Sequence, residues 1–276
     1  MKEHIFRADS HIHSEFSPDS VCPVSEIEKT AQEKGLNLVC ITDHCDLRPG
    51  DERIAVLERQ KNRVRDIRAQ LQNPNGLQTL VGIELGGGFL LPELAAEVIG
   101  AEDYDVVIGS VHGIMFRGER QSTSHFDFGA VSEADVMEYL DGYLNAEQYV
   151  AEKLDVDVLA HLPYIFRYIN GKYGWNLDWH IREDKLRQIL STVIDRGIVL
   201  EINTACWEGV YEQQNLEKEV VELYLDMGGK DIILGSDAHK SLHIGRQFDR
   251  AIEFLRSKGV DHLVYFANRK KHRYPI

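Results

Sequence analysis

Ile232-Ile233-Leu234-Gly235-Ser236-Asp237-Ala238-His239 is a short apolar run that stops at a glycine and then presents an Asp and a His. The same form recurs along the chain: a run of strand length ends, and a His, Asp or Glu of metal-ligand type follows. The other ends are Asp9-Ser10-His11-Ile12-His13, Thr42-Asp43-His44, Gly82-Ile83-Glu84, Ser110-Val111-His112 and Leu159-Ala160-His161, while the run before Ile232 stops at Glu201-Ile202-Asn203-Thr204. The predicted strands are 5–9, 38–42, 79–83, 106–110, 156–160, 199–203 and 232–235. Segments of helical period lie between them, at 24–33, 53–72, 92–99, 133–153, 182–196, 216–227 and 245–258. Such alternation predicts repeated βα units around a parallel sheet, and a barrel with its strand ends at one face would bring all the ends together.

Local punctuation agrees. Ser132 precedes Glu133 as an N-cap, and Gly35, Gly197, Gly228 and Gly259 stand where helix C-terminal glycines belong. The helix at 53–72 puts Val56, Gln60, Val64 and Ile67 on one side. Two long loops, 113–131 and 163–179, follow strands and so fall at the presumed active face.

The 276 residues suit one large α/β domain, and no linker or internal repeat divides them. With 31 Lys and Arg against 45 Asp and Glu, the formal charge is −14, which disfavours nucleic acid or an anionic membrane as partner and points to a small molecule. The basic run Arg269-Lys270-Lys271-His272-Arg273 reads as a solvated tail. Neither a secretory leader nor a long apolar span is evident, and Cys22, Cys40, Cys45 and Cys206 form no Cys-x-x-Cys pair, so a cytoplasmic protein with reduced thiols is expected. Oligomeric state is not readable from the sequence.

Of twelve histidines, His11, His13, His44, His112, His161 and His239 sit at or just past strand ends. Those windows cover roughly a tenth of the chain, so random scatter would place about one there. Any one of them alone reads as a hydrogen-bonded, half-buried side chain. Gathered at one mouth with Asp19, Glu84 and Asp237, they would repel and desolvate one another unless divalent cations bound them. Nitrogen and carboxylate donors without thiolate suit Zn²⁺, Fe²⁺ or Mn²⁺.

The ordered motifs Asp9-x-His11-x-His13, Ile41-Thr42-Asp43-His44, Gly82-Ile83-Glu84, Gly109-Ser110-Val111-His112, His161, Glu201-Ile202-Asn203-Thr204 and Gly235-Ser236-Asp237-Ala238-His239 resemble the polymerase-and-histidinol-phosphatase (PHP) family, nearest its histidinol-phosphatase branch. The resemblance implies a distorted (β/α)7 TIM-like barrel as a single domain over 1–276, with three divalent ions. By it, His11, His13, Glu84 and Asp237 hold one ion, Glu84 shares a second with His112 and His161, and Asp19, His44 and His239 take the third. It also implies a phosphomonoesterase, foremost one converting L-histidinol phosphate and water to L-histidinol and phosphate in histidine biosynthesis.

Charge supports the same chemistry independently. Three divalent ions against three carboxylates leave the site at about +3, complementary to a phosphate monoester. A hydroxide bridging two ions would attack phosphorus in line, and Asp237 or His239 would supply the leaving group's proton. Arg167 is the first choice for a phosphate clamp. Asn203 reads as a donor to phosphate or to a ligand, or as a loop-stabilising amide. Arg117, Arg120 and His125 either reach the substrate, with Arg117 the first choice, or are solvated loop groups. Asp9 and Asp43 read as acceptors for imidazole N–H, or Asp43 as a turn cap.

Rival readings are a PHP phosphoesterase for a nucleotide or sugar phosphate, a non-catalytic PHP module, and an amidohydrolase-like C–N hydrolase. The intact ligand set opposes the second. The third lacks a bridging Lys after a middle strand.

Overall fold

The computed structural model describes residues 6–208 and 216–276. Strands and helices alternate as β1 (Ala8–Ile12), α1 (Val24–Glu33), β2 (Leu38–Ile41), β3 (His44–Asp46), α2 (Arg53–Gln70), β4 (Gln78–Val81), β5 (Ile83–Gly86), α3 (Pro92–Ala101) and β6 (Val107–Ser110). A hairpin, β7 (Gly113–Phe116) and β8 (Glu119–Ser122), precedes α4 (Glu133–Lys153), β9 (Val158–Leu159), the short α5 (Tyr164–Phe166) and a π-helical turn, Arg167–Lys172. Then come α6 (Glu183–Arg196), β10 (Val199–Asn203), α7 (Leu216–Asp226), β11 (Ile232–Gly235), α8 (Phe248–Ser257) and the hairpin β12 (His262–Ala267) and β13 (Lys270–Pro275).

The fold is α/β with parallel central strands, in two sheets ordered β1-β2-β4 and β11-β10-β9-β6-β5-β3. Gly82 lies between β4 and β5, so one run of chain passes from the first sheet to the second. A side chain there would collide with Val106, which explains a glycine at the crossing. At the other margin, β1 meets the segment after β11 through a parallel bridge between Ile12 and Ala238. There the Asp237 N–H donates to the His11 carbonyl and the His13 N–H to the Ala238 carbonyl, both at 2.9 Å.

Helices α1 and α4 and strands β10 and β11 match their expected bounds. The first strand begins at Ala8 and runs through Ile12, so His11 stands inside it; Ile5, its expected start, lies outside the described residues. Val56, Gln60, Val64 and Ile67 are the buried face of α2. Ser132 caps α4 in a reciprocal capping box with Asp135, and Gly35, Gly197, Gly228 and Gly259 all adopt positive φ.

Two segments differ from expectation. The loop at 113–131 holds the β7–β8 hairpin, turned at Arg117 and Gly118, whose φ values of 52° and 86° match the twist of paired strands. The basic run is exposed but is no tail: it spans the hairpin turn into β13, where Lys271 Nζ and Arg273 Nε meet Asp231 at 2.7 and 2.9 Å. Its charge anchors the hairpin to β11. All four cysteines are free and buried, and burial pushes the Cys45 thiol up to about 11, which removes a redox role for it. Among the described residues no helix is long and apolar enough to cross a membrane.

Candidate metal centre

The strand ends do converge. Glu84, fully buried at the start of β5, stands at the middle with its two oxygens facing different partners. Oε1 lies 3.0 Å from His112 Nε2 and 2.9 Å from His161 Nε2. Oε2 lies 3.3 Å from His11 Nε2, 3.6 Å from His13 Nε2 and 2.7 Å from His44 Nδ1. The one carboxylate thus faces two sets of imidazole donors.

Around it, Asp237 Oδ1 approaches His13 Nε2 at 3.2 Å, and Asp19 Oδ2 approaches His44 Nε2 at 3.1 Å and His239 Nε2 at 3.0 Å. Donor atoms fall into overlapping sets within 4.8 Å: His13, Asp19, His44 and His239; His11, His13 and Asp237; Glu84, His112 and His161; and His44, Asp46 and His112. All the sequence-expected ligands are therefore brought together. Asp46 is an addition.

The buried donors are unpartnered. His11 Nε2, His13 Nε2, His44 Nδ1 and Glu84 Oε2 are all out of solvent without a hydrogen bond; His44 Nδ1 is near Glu84 Oε2 in distance but not in hydrogen-bonding geometry. Leaving such atoms unsatisfied is costly, and divalent cations satisfy them directly. Protonation follows the same tension. Burial alone would push Glu84 up, but His44, His112 and His11 draw its carboxyl well below the usual range. Burial would push the His112 ring down, yet Glu84 and Asp46 raise it to about 10, while burial and the neighbouring His44 lower His13 to about 3. The donor set fits divalent metal.

Supporting groups fix the rings. Glu201, inside β10, accepts from His11 Nδ1 at 2.6 Å and from the His161 N–H at 2.9 Å. Asp46 faces His112 Nδ1 at 3.0 Å. Gly235 and Gly86 leave room for these carboxylates, since a Cβ at either would run into Glu201 or Asp46 respectively. Two ligands carry unusual backbone: Asp237 has φ 51° and His161 φ 28°, left-handed conformations that cost about 1–3 kcal/mol where neighbours enforce them.

Several expected roles change. Asp9 does not accept from imidazole; its carboxylate takes the N–H of Ser236 at 3.0 Å and of Gly245 at 2.8 Å, tying β1 to the loop after β11. Asp43 likewise binds Ser14, accepting from its N–H at 2.6 Å and its hydroxyl at 2.7 Å. Asn203 keeps two of its expected readings: fully buried, it donates from Nδ2 to Asp237 Oδ2 at 3.1 Å and accepts the Ala205 N–H at 3.1 Å. Arg117 sits at the hairpin tip, paired with Asp135, away from the centre; Arg120, Ser122, Ser124 and His125 of that loop line the cavity.

That cavity, of about 660 Å³, opens directly on the ligand cluster. Arg167, on the π-helical turn, enters it with its guanidinium over the Tyr164 ring at 5.2 Å and 4.0 Å from Asp237 Oδ2. Its Nε and Nη2 are buried without partners.

A histidinol-phosphatase of Lactococcus lactis is 25% identical over 96% of each chain. A probable histidinol-phosphatase of Thermotoga maritima is 26% identical over 92% of this chain and 94% of its own. The crystal structure of histidinol phosphate phosphatase from Lactococcus lactis, complexed with zinc, L-histidinol and phosphate, superposes with a TM-score of 0.73 at 23% identity, covering 96% of this chain and 98% of that one. The PHP domain matches residues 9–205, and the chain belongs to that family.

Proposed function

We propose that the protein is a metal-dependent phosphomonoesterase that hydrolyses L-histidinol phosphate to L-histidinol and phosphate. The observation that carries the reading is the bridging position of Glu84 among buried, unpartnered imidazole nitrogens at the floor of an open cavity. The relatives named histidinol-phosphatase support the substrate. We read the two sheets as one distorted (β/α)7 barrel forming a single domain over 1–276, and the setting as cytoplasmic.

His11, His13, Glu84 and Asp237 would hold one divalent ion, Glu84, His112 and His161 a second, and Asp19, His44 and His239 a third, as Zn²⁺, Fe²⁺ or Mn²⁺. Bound there, such ions supply Lewis acidity toward phosphoryl oxygens and acidify water. Arg167, whose guanidinium lines the cavity beside Asp237, is the cation placed to take a phosphate. Asp237 and His239 line the same cavity and are the groups placed to pass a proton to the leaving oxygen.

The test is turnover of L-histidinol phosphate with metals quantified in the same sample. About three divalent ions per chain and a preference for this ester over nucleotide and sugar phosphates are expected. Protein purified without chelators that holds no metal, or a preference for a nucleotide, defeats the metal or the substrate reading respectively.

A further inference from the structure

Beside the ligand cluster the cavity continues into a recess of about 390 Å³ that shares Pro18, His44, Asp46 and Arg48 with it. Three arginines line this recess: Arg48 from the loop after β3, and Arg59 and Arg63 from α2. On a chain of net charge −14, several arginines elsewhere on the surface are paired with carboxylates, as Arg53 is with Glu97, Arg182 with Asp141 and Arg273 with Asp231. Here they are not. Among the described residues, neither the Arg48 nor the Arg59 guanidinium has an ion pair.

The acids of the recess are already engaged. Asp51 accepts the Arg48 backbone N–H at 2.8 Å, and Asp46 faces His112. Arg63 donates to the His44 carbonyl at 2.5 Å, so the recess is joined through one residue to the metal-ligand cluster. Guanidinium groups lining one recess without carboxylate partners match a tetrahedral dianion better than any cation or neutral ring.

We propose that Arg48, Arg59 and Arg63 form an anion subsite for a phosphate group, contiguous with the metal centre and separate from it. The anion is either orthophosphate released at the centre or the second phosphate of a bisphosphorylated ester. The subsite stands on the recess alone and does not require turnover of histidinol phosphate.

Calorimetric titration of the metal-loaded protein with inorganic phosphate reads it directly. Wild type is expected to show two binding events, and Arg59→Ala, a change at an exposed helix position, to weaken one by about tenfold while leaving the other and monoester turnover intact. Arg59→Glu is expected to abolish that event and Arg59→Lys to keep part of it. Product inhibition by phosphate and turnover of a sugar bisphosphate then separate the two sources: relief of inhibition in Arg59→Ala assigns the recess to released phosphate, and a selective fall in kcat/KM for the bisphosphate assigns it to substrate. A single event in wild type, or identical titrations in wild type and Arg59→Glu, overturns the subsite.

Discussion

Glu201 holds His11 and His161 with one carboxylate, taking the His11 Nδ1–H on one oxygen and the His161 backbone N–H on the other. Two ligands from strands far apart in sequence are thus set by a single buried side chain that lies outside the donor sets. Glu201→Gln keeps the shape but replaces one acceptor with a donor. Metal affinity is expected to fall roughly 10–100-fold, with the fold retained, as such orienting partners usually contribute. Competition with a chelating dye measures it; an unchanged affinity would show that His11 needs no orienting acceptor.

Arg167→Lys keeps the charge and loses the planar fork. With Nε and Nη2 buried and unpaired in the wild type, kcat/KM is expected to drop on the order of a hundredfold while bound metal stays constant. Steady-state kinetics beside elemental analysis separates this from metal loss. Equal activity of the two proteins would remove Arg167 from phosphate recognition.

Chelation exposes the unpaired donors. Ions that bind only the folded chain stabilise it by about 4 kcal/mol when free ion exceeds Kd a thousandfold, so stripping them is expected to lower Tm by roughly 10 °C, restored by Zn²⁺ or Mn²⁺. Differential scanning calorimetry with and without chelator checks this. No change in Tm, with no metal detected, is the outcome that sinks the centre.

Glu147 on α4 is fully buried, neither carboxylate oxygen has a hydrogen-bond partner, and burial pushes its pKa up to about 8. The sign follows from proton counting. Between the ordinary glutamate value and about 8 the folded state holds a proton that the unfolded state has lost, so stability contributed through Glu147 falls as pH rises through that window. Glu147→Gln removes the titration. Its stability relative to wild type is expected to improve by on the order of a few kcal/mol between pH 5 and 8, read from urea midpoints across pH. Parallel pH profiles for the two proteins would place Glu147 in water.

The convergence of the six histidines was legible because each stands at or just past the end of an apolar run, a pattern that survives without knowledge of tertiary contacts. Asp46 was not, since β3 has no apolar run of its own and forms only by pairing with β5. Glu201 sat in a recognised motif, but an acid inside a buried strand shows its purpose only when His11 is placed 2.6 Å away. Charge misled where the partner was distant. Lys271 and Arg273 read as solvated because Asp231, which receives both, is about 40 positions earlier. Arg117 and Arg120 were indistinguishable until the hairpin turned one to the tip and the other to the cavity.

The hydrogen bond from the Asp237 N–H to the His11 carbonyl brings the last ligand-bearing strand against the first. Glu84, His112 and His161 lie within positions 84–161, whereas the sets built on His11 and His13 need Asp237 or His239. A chain emerging from the ribosome therefore gathers that first donor set before the other two, and the sets at the seam between β1 and the segment after β11 come together only when that last segment docks.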